Sequence, residues 1–435
     1  MEKETVVIQT KLGQLRGLVK HSVLNDKTYY AFLGVPFGKP PLGDLRFKAS
    51  QPFGGWEGVR DALADGNDPK QPVFINITCQ STPDIETTGS EDCLYLNVYT
   101  NEHPEKSTEK KPVLFTIPGG GFFCWSGSST KTGVESFMNG DVVVVSCNYR
   151  VGAFGFLSLE NEEAPGNAGL KDQTLALKWV HENIDSFGGD PNNVTIIGIS
   201  AGGASVHFQL LCPPSRGLFH KAIIQCGFAN CPWANQDAPR QTALELAKIL
   251  GCTSEESDEV LQFLKSASAD DIVAGTHKLC TSEKRKKIPD CIFTPSVEVS
   301  GVESSLPDIP DNLMKRGQFT QVPVILGCSV REGTVATMFD GISDKTFEFI
   351  NNNPGVLVPS FLGLKKGSVE HKEAGNEIWT YYFKGKPLSW DTVHEYLVCQ
   401  SDIQMNFGME LTRSYLVEKS TAPVYTYLYT DHSRC

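Results

Sequence analysis

Residues 194–203, Val-Thr-Ile-Ile-Gly-Ile-Ser-Ala-Gly-Gly, constrain this chain more than any other stretch. The left half is a short apolar run rich in β-branched residues and reads as a buried strand. Residues 201–211 carry helical spacing. Between them lies Gly198-Ile199-Ser200-Ala201-Gly202, a G-x-S-x-G pattern. Passing from strand to helix within one residue strains the backbone at Ser200, and the flanking glycines remove side chains that would collide there. Such a turn presents a serine hydroxyl at the carboxyl end of a sheet and at a helix N-terminus, where developing negative charge is favoured. The alternative is a plain glycine-rich turn; the strand before it and the helix after it favour the presented serine.

The chain has 435 residues, 40% hydrophobic and 21% charged, enough for a large core. The formal net charge is −12. That balance offers no basic footprint for nucleic acid and no basic tract for an anionic membrane surface. The N-terminus runs directly into strand-like sequence without a signal-peptide h-region, and no apolar run is long enough to span a bilayer. Thirteen cysteines are scattered rather than framed. These features predict a reduced, cytoplasmic protein, or a secreted one if the N-terminus is incomplete.

Along the chain, residues 5–8 and 15–19 read as a hairpin. The segment from Tyr29 to Pro41, dense in Gly and Pro, reads as an ordered turn-rich stretch. Strands are expected at 94–99, 112–117, 141–148, 221–226, 322–328 and 423–429, and helices at 172–183 and in two pieces across 239–264. Residues 335–418 read as mostly helical. Apolar strands alternating with helices predict an α/β sheet wrapped by helices on both faces, with antiparallel strands at the N-terminal edge and the insertions covering the carboxyl ends of the strands.

A serine alcohol needs something to take its proton and something to hold the oxyanion. Gly119-Gly120-Gly121 follows a buried strand, and its N–H groups, with that of Ala201, could form the oxyanion hole. Read alone, it could also be a flexible glycine loop. The carboxylate that orients the base is best placed at Glu332, after the strand 322–328, where Gly333 permits a tight turn; the alternative is a solvated glutamate at a helix start. No Cys/His cluster has zinc spacing, and no cofactor is expected.

The chain resembles the type-B carboxylesterases, the cholinesterase-like branch of the α/β-hydrolases, and within them the intracellular insect α-esterases. The motifs are Phe32-Leu-Gly-Val-Pro-Phe-Gly-Lys-Pro-Pro41, Glu91-Asp-Cys-Leu-Tyr-Leu-Asn97, Gly119-Gly-Gly-Phe122, Asn148-Tyr-Arg150, Asn167-Ala-Gly-Leu-Lys-Asp-Gln173, Phe187-Gly-Gly-Asp-Pro191, Gly198-Ile-Ser-Ala-Gly-Gly203 and Cys231-Pro-Trp-Ala234. The resemblance implies an α/β-hydrolase fold in one domain over 1–435, with a large, mostly parallel central sheet flanked by helices and an incomplete C-terminal part. It implies Ser200 as nucleophile, Glu332 as triad acid, and Gly120, Gly121 and Ala201 as oxyanion donors. It further implies a disulfide pair Cys79–Cys93, which a cytosolic location would leave reduced, and buried ion pairs Arg46–Glu91 and Arg150–Asp172. Departures are Pro118 before the glycines, Ile199 before the nucleophile, and Cys226 where the family often has serine.

The resemblance places the catalytic histidine beyond the position matched by His432, after the strand 423–429, so the histidine loop and last strands are expected to be missing. His432 reads as a surface histidine near a chain end, and His207, on the elbow helix, as a packed one. Two functions follow as expectations. One is a serine carboxylic ester hydrolase for lipophilic esters, detoxification among its possible roles, with Phe122, Phe123 and Trp125 near an apolar gorge. The other is a catalytically impaired relative that binds or sequesters a small-molecule ligand. Oligomeric state is not legible.

Overall fold

A computed structural model of the chain describes residues 4–24, 26–73, 85–106, 109–280, 292–299, 303–335, 342–359 and 362–430. Its centre is β10 (Gly189–Ile199), the strand that runs into the serine turn. Parallel neighbours flank it: β8 (Lys111–Ile117) on one side and β11 (Lys221–Gln225) on the other, with Ile196 opposite Phe115 and Ala222. Beyond β8 lies β9 (Val143–Cys147); beyond β11 lie β12 (Val324–Ser329) and β13 (Val424–Tyr429), all parallel. Apart from β13, these strands carry apolar runs that the flanking helices help to bury. Val143, Val145, Phe115, Ile196, Ile224 and Leu326 are all buried.

The N-terminal side is antiparallel, which makes the sheet mixed. β1 (Thr5–Thr10) pairs with β2 (Gly13–His21) as the expected hairpin, Ile8 opposite Leu15. β2 pairs with β3 (Thr28–Pro36), β3 with β7 (Tyr95–Thr100), and β7 with β9. The short β4 (Val59–Asp61) adds to β2, and β5 (Gln71–Pro72) and β6 (Thr87–Thr88) form a separate two-strand patch. β3 overturns the reading of residues 29–41 as turns. Its prolines lie at or beyond its end, and Gly34, at φ +69°, marks the shift in register between Phe32 and Val35. The Asn97 carboxamide oxygen accepts the Gly34 N–H at 2.8 Å, so the bulge leaves no orphaned donor.

Two ion pairs hold loops to this sheet, as the resemblance implied. Arg150 gives its backbone N–H, Nε and Nη2 to Asp172 at 3.0, 2.8 and 2.7 Å, tying the loop after β9 to the helix Ala168–Asn183. Both side chains are buried. Arg46 forks onto Glu91 at 2.7 and 2.5 Å. Its Nη1 donates to the carbonyls of Leu264, Lys265 and Ala267, satisfying the end of the helix Ser257–Ser266.

The helices Asp344–Asn352, Val369–Phe383 and Val393–Ser401 bury Phe347, Ile350, Phe383, Tyr396 and Cys399 in a cluster separate from the main core. Among the described residues β13 pairs on one side only, and Tyr425, Leu428 and Tyr429 are more than half exposed. No helix among the described residues is long and apolar enough to cross a membrane.

Removing one member of a buried pair strands the other charge. Asp172→Ala is expected to lower stability by about 3–5 kcal/mol, read as a fall in the urea midpoint at an unchanged m-value.

Candidate active site

β10 ends at Ile199, and the helix Ala201–Leu211 begins two residues later. Ser200, between them, has φ 58° and ψ −127°, a conformation costly for any side-chain-bearing residue. Its surroundings hold it there. The Ser200 N–H donates to the Gln225 carbonyl at 2.9 Å, and its own carbonyl accepts the Ala204 N–H at 2.9 Å. The helix sits so close to β8 that a Cβ on Gly202 would lie 2.2 Å from the Ile117 carbonyl oxygen, so only glycine fits.

The glycine loop meets this turn directly. A Cβ on Gly119 would lie 2.7 Å from the Ile199 oxygen and 3.4 Å from Ser200 Cβ. Gly120 and Gly121 follow at φ +94° and +59°. The Gly120 carbonyl accepts the N–H groups of Phe123 and Cys124, and the Tyr149 hydroxyl donates to the Pro118 carbonyl at 3.0 Å, fixing the loop from both sides. Among the described residues, the N–H groups of Gly120, Gly121 and Ala201 have no acceptor. Such unpaired donors beside a serine are what an oxyanion requires.

Ser200 opens onto a cleft of about 460 Å³. Its lining is Ile199, Gln225, Cys226, Ser329, Glu332, Val335, Met405, Tyr427 and Tyr429. Glu332 therefore shares the cleft with Ser200. The carboxylate sits on a turn just after β12 and accepts the Ser329 N–H at 2.8 Å. Gly333 is needed there for close approach rather than for a left-handed backbone: a Cβ would lie 2.0 Å from the Leu397 oxygen. Cys226 faces this carboxylate. Its thiol is held protonated by hydrogen bonding to Cys328, by burial, and by Glu332.

Some expectations fail. Phe122 is not a gorge residue; it packs in the core against Phe156 and Trp233, with ring centroids at 5.2 and 6.2 Å. Trp125 is tied to Gln71 through its N–H at 2.6 Å, and neither it nor Phe123 lines the cleft. The walls are instead Met405, from a π-helical turn at Asp402–Asn406, and Tyr427 and Tyr429, which alternate along β13 and so share a face. That alternation was visible in the sequence.

None of the described residues lining the cleft is a histidine. His207 lies on the elbow helix but is fully buried, and its Nδ1 accepts the Ala229 N–H at 3.1 Å. Burial pulls its pKa down to about 3, so the ring is neutral at pH 7. His432 and Cys79 lie outside the described residues. Cys93 carries a buried free thiol. Among the described residues no cluster of His, Cys, Asp or Glu is arranged to hold a metal.

A serine raised on a strand-to-helix turn, at the carboxyl end of the central parallel strand, defines an α/β-hydrolase. The sequence profile of the Carboxylesterase family matches residues 4–435. The chain is 36% identical to Esterase FE4 of Myzus persicae over 430 residues, covering 97% of this chain and 73% of that one. It is 35% identical to the juvenile hormone esterase of Tribolium castaneum over 431 residues, 97% of this chain and 72% of the other. The solved juvenile hormone esterase from Manduca sexta, with OTFP covalently attached, superposes with a TM-score of 0.86 at 30% identity, covering 99% of this chain and 79% of that one. The chain belongs to the carboxylesterase family, and its reaction class is that of a serine carboxylic ester hydrolase.

His207 makes the elbow helix acid-sensitive. In the unfolded chain it binds a proton below about pH 6.5, whereas the buried ring resists protonation down to about 3. Between those values the unfolded state holds the extra proton, so acid favours unfolding. Stability is expected to be unaffected by this group above pH 6.5 and to fall by roughly 1.4 kcal/mol per unit below it. Urea unfolding at pH 7 and pH 5 measures this, and His207→Gln should flatten the slope.

Proposed function

We propose that Ser200 is the nucleophile of this hydrolase and that it forms an acyl-serine intermediate. The hydroxyl attacks the ester carbonyl and gives its proton to a base. The N–H groups of Gly120, Gly121 and Ala201 receive the charge that develops on the carbonyl oxygen. The alcohol leaves, water attacks the acyl-serine, and the acid departs. Glu332 would orient a histidine base, which none of the described lining residues supplies. The observation that carries this reading is the strained Ser200 in one cleft with Glu332, against a glycine loop with unpaired donors.

The substrate class follows from the walls. Ile199, Val335, Met405 and the tyrosine rings are apolar, and Glu332 is the one carboxylate among the described lining residues. Uncharged, lipophilic small-molecule esters fit such a surface.

A second reading is favoured by a specific observation, the absence of histidine from the described cleft lining. Without a base, a serine hydrolase keeps only about 10³–10⁴-fold catalysis over water. A chain in that state would hold an ester or its product rather than turn it over.

A fluorophosphonate probe and a p-nitrophenyl ester separate the two. Stoichiometric labelling of Ser200 with ester turnover, both lost in Ser200→Ala, is the expected result. Labelling that is slow and turnover that stays near background until imidazole is added would support the binding reading. Turnover that persists in Ser200→Ala would remove the serine from the mechanism altogether.

A further inference from the structure

Beside the carboxylate end of the cleft lie two cysteines that ester hydrolysis does not use. Cys226 follows β11 immediately, and Cys328 is the next-to-last residue of β12. Gln225 pairs with Gly327 as the last pair of the register, and the Cys226 N–H donates to the Gly327 carbonyl at 2.9 Å, so Cys226, turning out of the strand at φ 49°, is tied to the residue before Cys328. Adjacent strands lie about 4.8 Å apart. A disulfide spans Cα separations of about 4.4–6.8 Å. Both thiols are free. Cys226 is half-buried and lines the cleft, whereas Cys328 is fully buried behind it.

We propose that Cys226 and Cys328 form an oxidation site, in which a small hydroperoxide entering the ester cleft converts the thiol pair into a cross-strand disulfide. The cleft exposes only the first thiol. The Cys226 thiolate attacks one peroxide oxygen, the O–O bond breaks, and hydroxide leaves to become water with the proton that the thiol gave up. The resulting sulfenic acid lies against Cys328. The Cys328 sulfur attacks the Cys226 sulfur, the S–O bond breaks, and its oxygen departs as a second water with the Cys328 proton. Two thiols lose two electrons, and one hydroperoxide gains them. For an alkyl hydroperoxide, the first leaving group is the alcohol.

Both neighbours keep the Cys226 proton in place, so the first step is slow and the second, between groups on adjoining strand ends, is fast. Cys231, fully buried and packed beside Gly408, is not a cleft residue. The disulfide would also take away the thiol that faces Glu332. Formation of the bond is independent of the role given to Ser200.

The test uses the whole chain, reduced with dithiothreitol, desalted and exposed to hydrogen peroxide. Remaining thiols are alkylated under denaturing conditions, and the digest is read by mass spectrometry. The expected result is loss of alkylation at both positions, with the Cys226 and Cys328 peptides joined and released by reduction. In Cys328→Ala the joined species should vanish, and Cys226 should be trapped by dimedone as the sulfenic acid. Alkylation of both cysteines after peroxide, or Cys226 joined to Cys231, overturns the proposal on the unmodified chain, whether or not the variant folds. Fluorophosphonate labelling of the reduced sample reports separately on Ser200.

Discussion

Three pieces of backbone meet at Ser200 with no room between them. The helix after the serine presses Gly202 onto the end of β8, the glycine loop presses Gly119 onto the end of β10, and Gly227 is so close that a Cβ there would lie 2.0 Å from the Ser200 oxygen. Close backbone packing of this kind is what sustains φ 58° at a serine, a strain of order 1–3 kcal/mol. The sheet supplies the rigidity. β10 is central, paired on both sides, and buried by helices on both faces. A local conformation that the residue would not choose is thereby set by contacts it does not control.

The same geometry explains why electrostatics at this end of the sheet is arranged around backbone rather than side chains. The loop before the serine contributes amide N–H groups, and the helix after it adds the positive end of its dipole. Pro118 in front of the glycines contributes a carbonyl, which Tyr149 occupies. Glu332, the one carboxylate among the described residues lining the cleft, is placed on the far side of β11 from β10, on the turn after β12. Negative charge on the acid and negative charge developing at the serine are therefore kept on different strands.

What was legible in the sequence follows the length over which a physical rule repeats. The parallel strands were readable because each carries a short run of apolar or β-branched residues, most of them buried except in β13, and Ser200 because strand, glycines and helix stand in one short segment. β3 was obscured because Gly34 and its terminal prolines signal turns locally, while the pairing that straightens the chain comes from β2 and β7. Phe122 was expected near the gorge from its position next to the glycine loop; a positive φ of 65° turns the chain there and the ring packs inward. Met405 carried no signal at all, since it reaches the cleft from a π-helical turn some two hundred residues after the serine.

That π-helical turn joins two otherwise separate packing units. Residues 344–401 build their own apolar cluster, and the helix Phe407–Lys419 packs on the main core through Leu416. Between them, Asp402 accepts the Tyr382 hydroxyl at 2.7 Å, and the Gln404 carbonyl accepts the Trp233 indole N–H at 3.0 Å. The first contact belongs to the helical unit; the second belongs to the segment after β11. Widening a helix by one residue redirects its side chains, and here Met405, the residue after the second anchor, lines the cleft onto which Ser200 opens. The cleft wall is thus coupled to the packing of the insertion, while the floor is coupled to the sheet. Substitutions in the helical unit can reshape what the cleft admits without disturbing the turn that presents the serine.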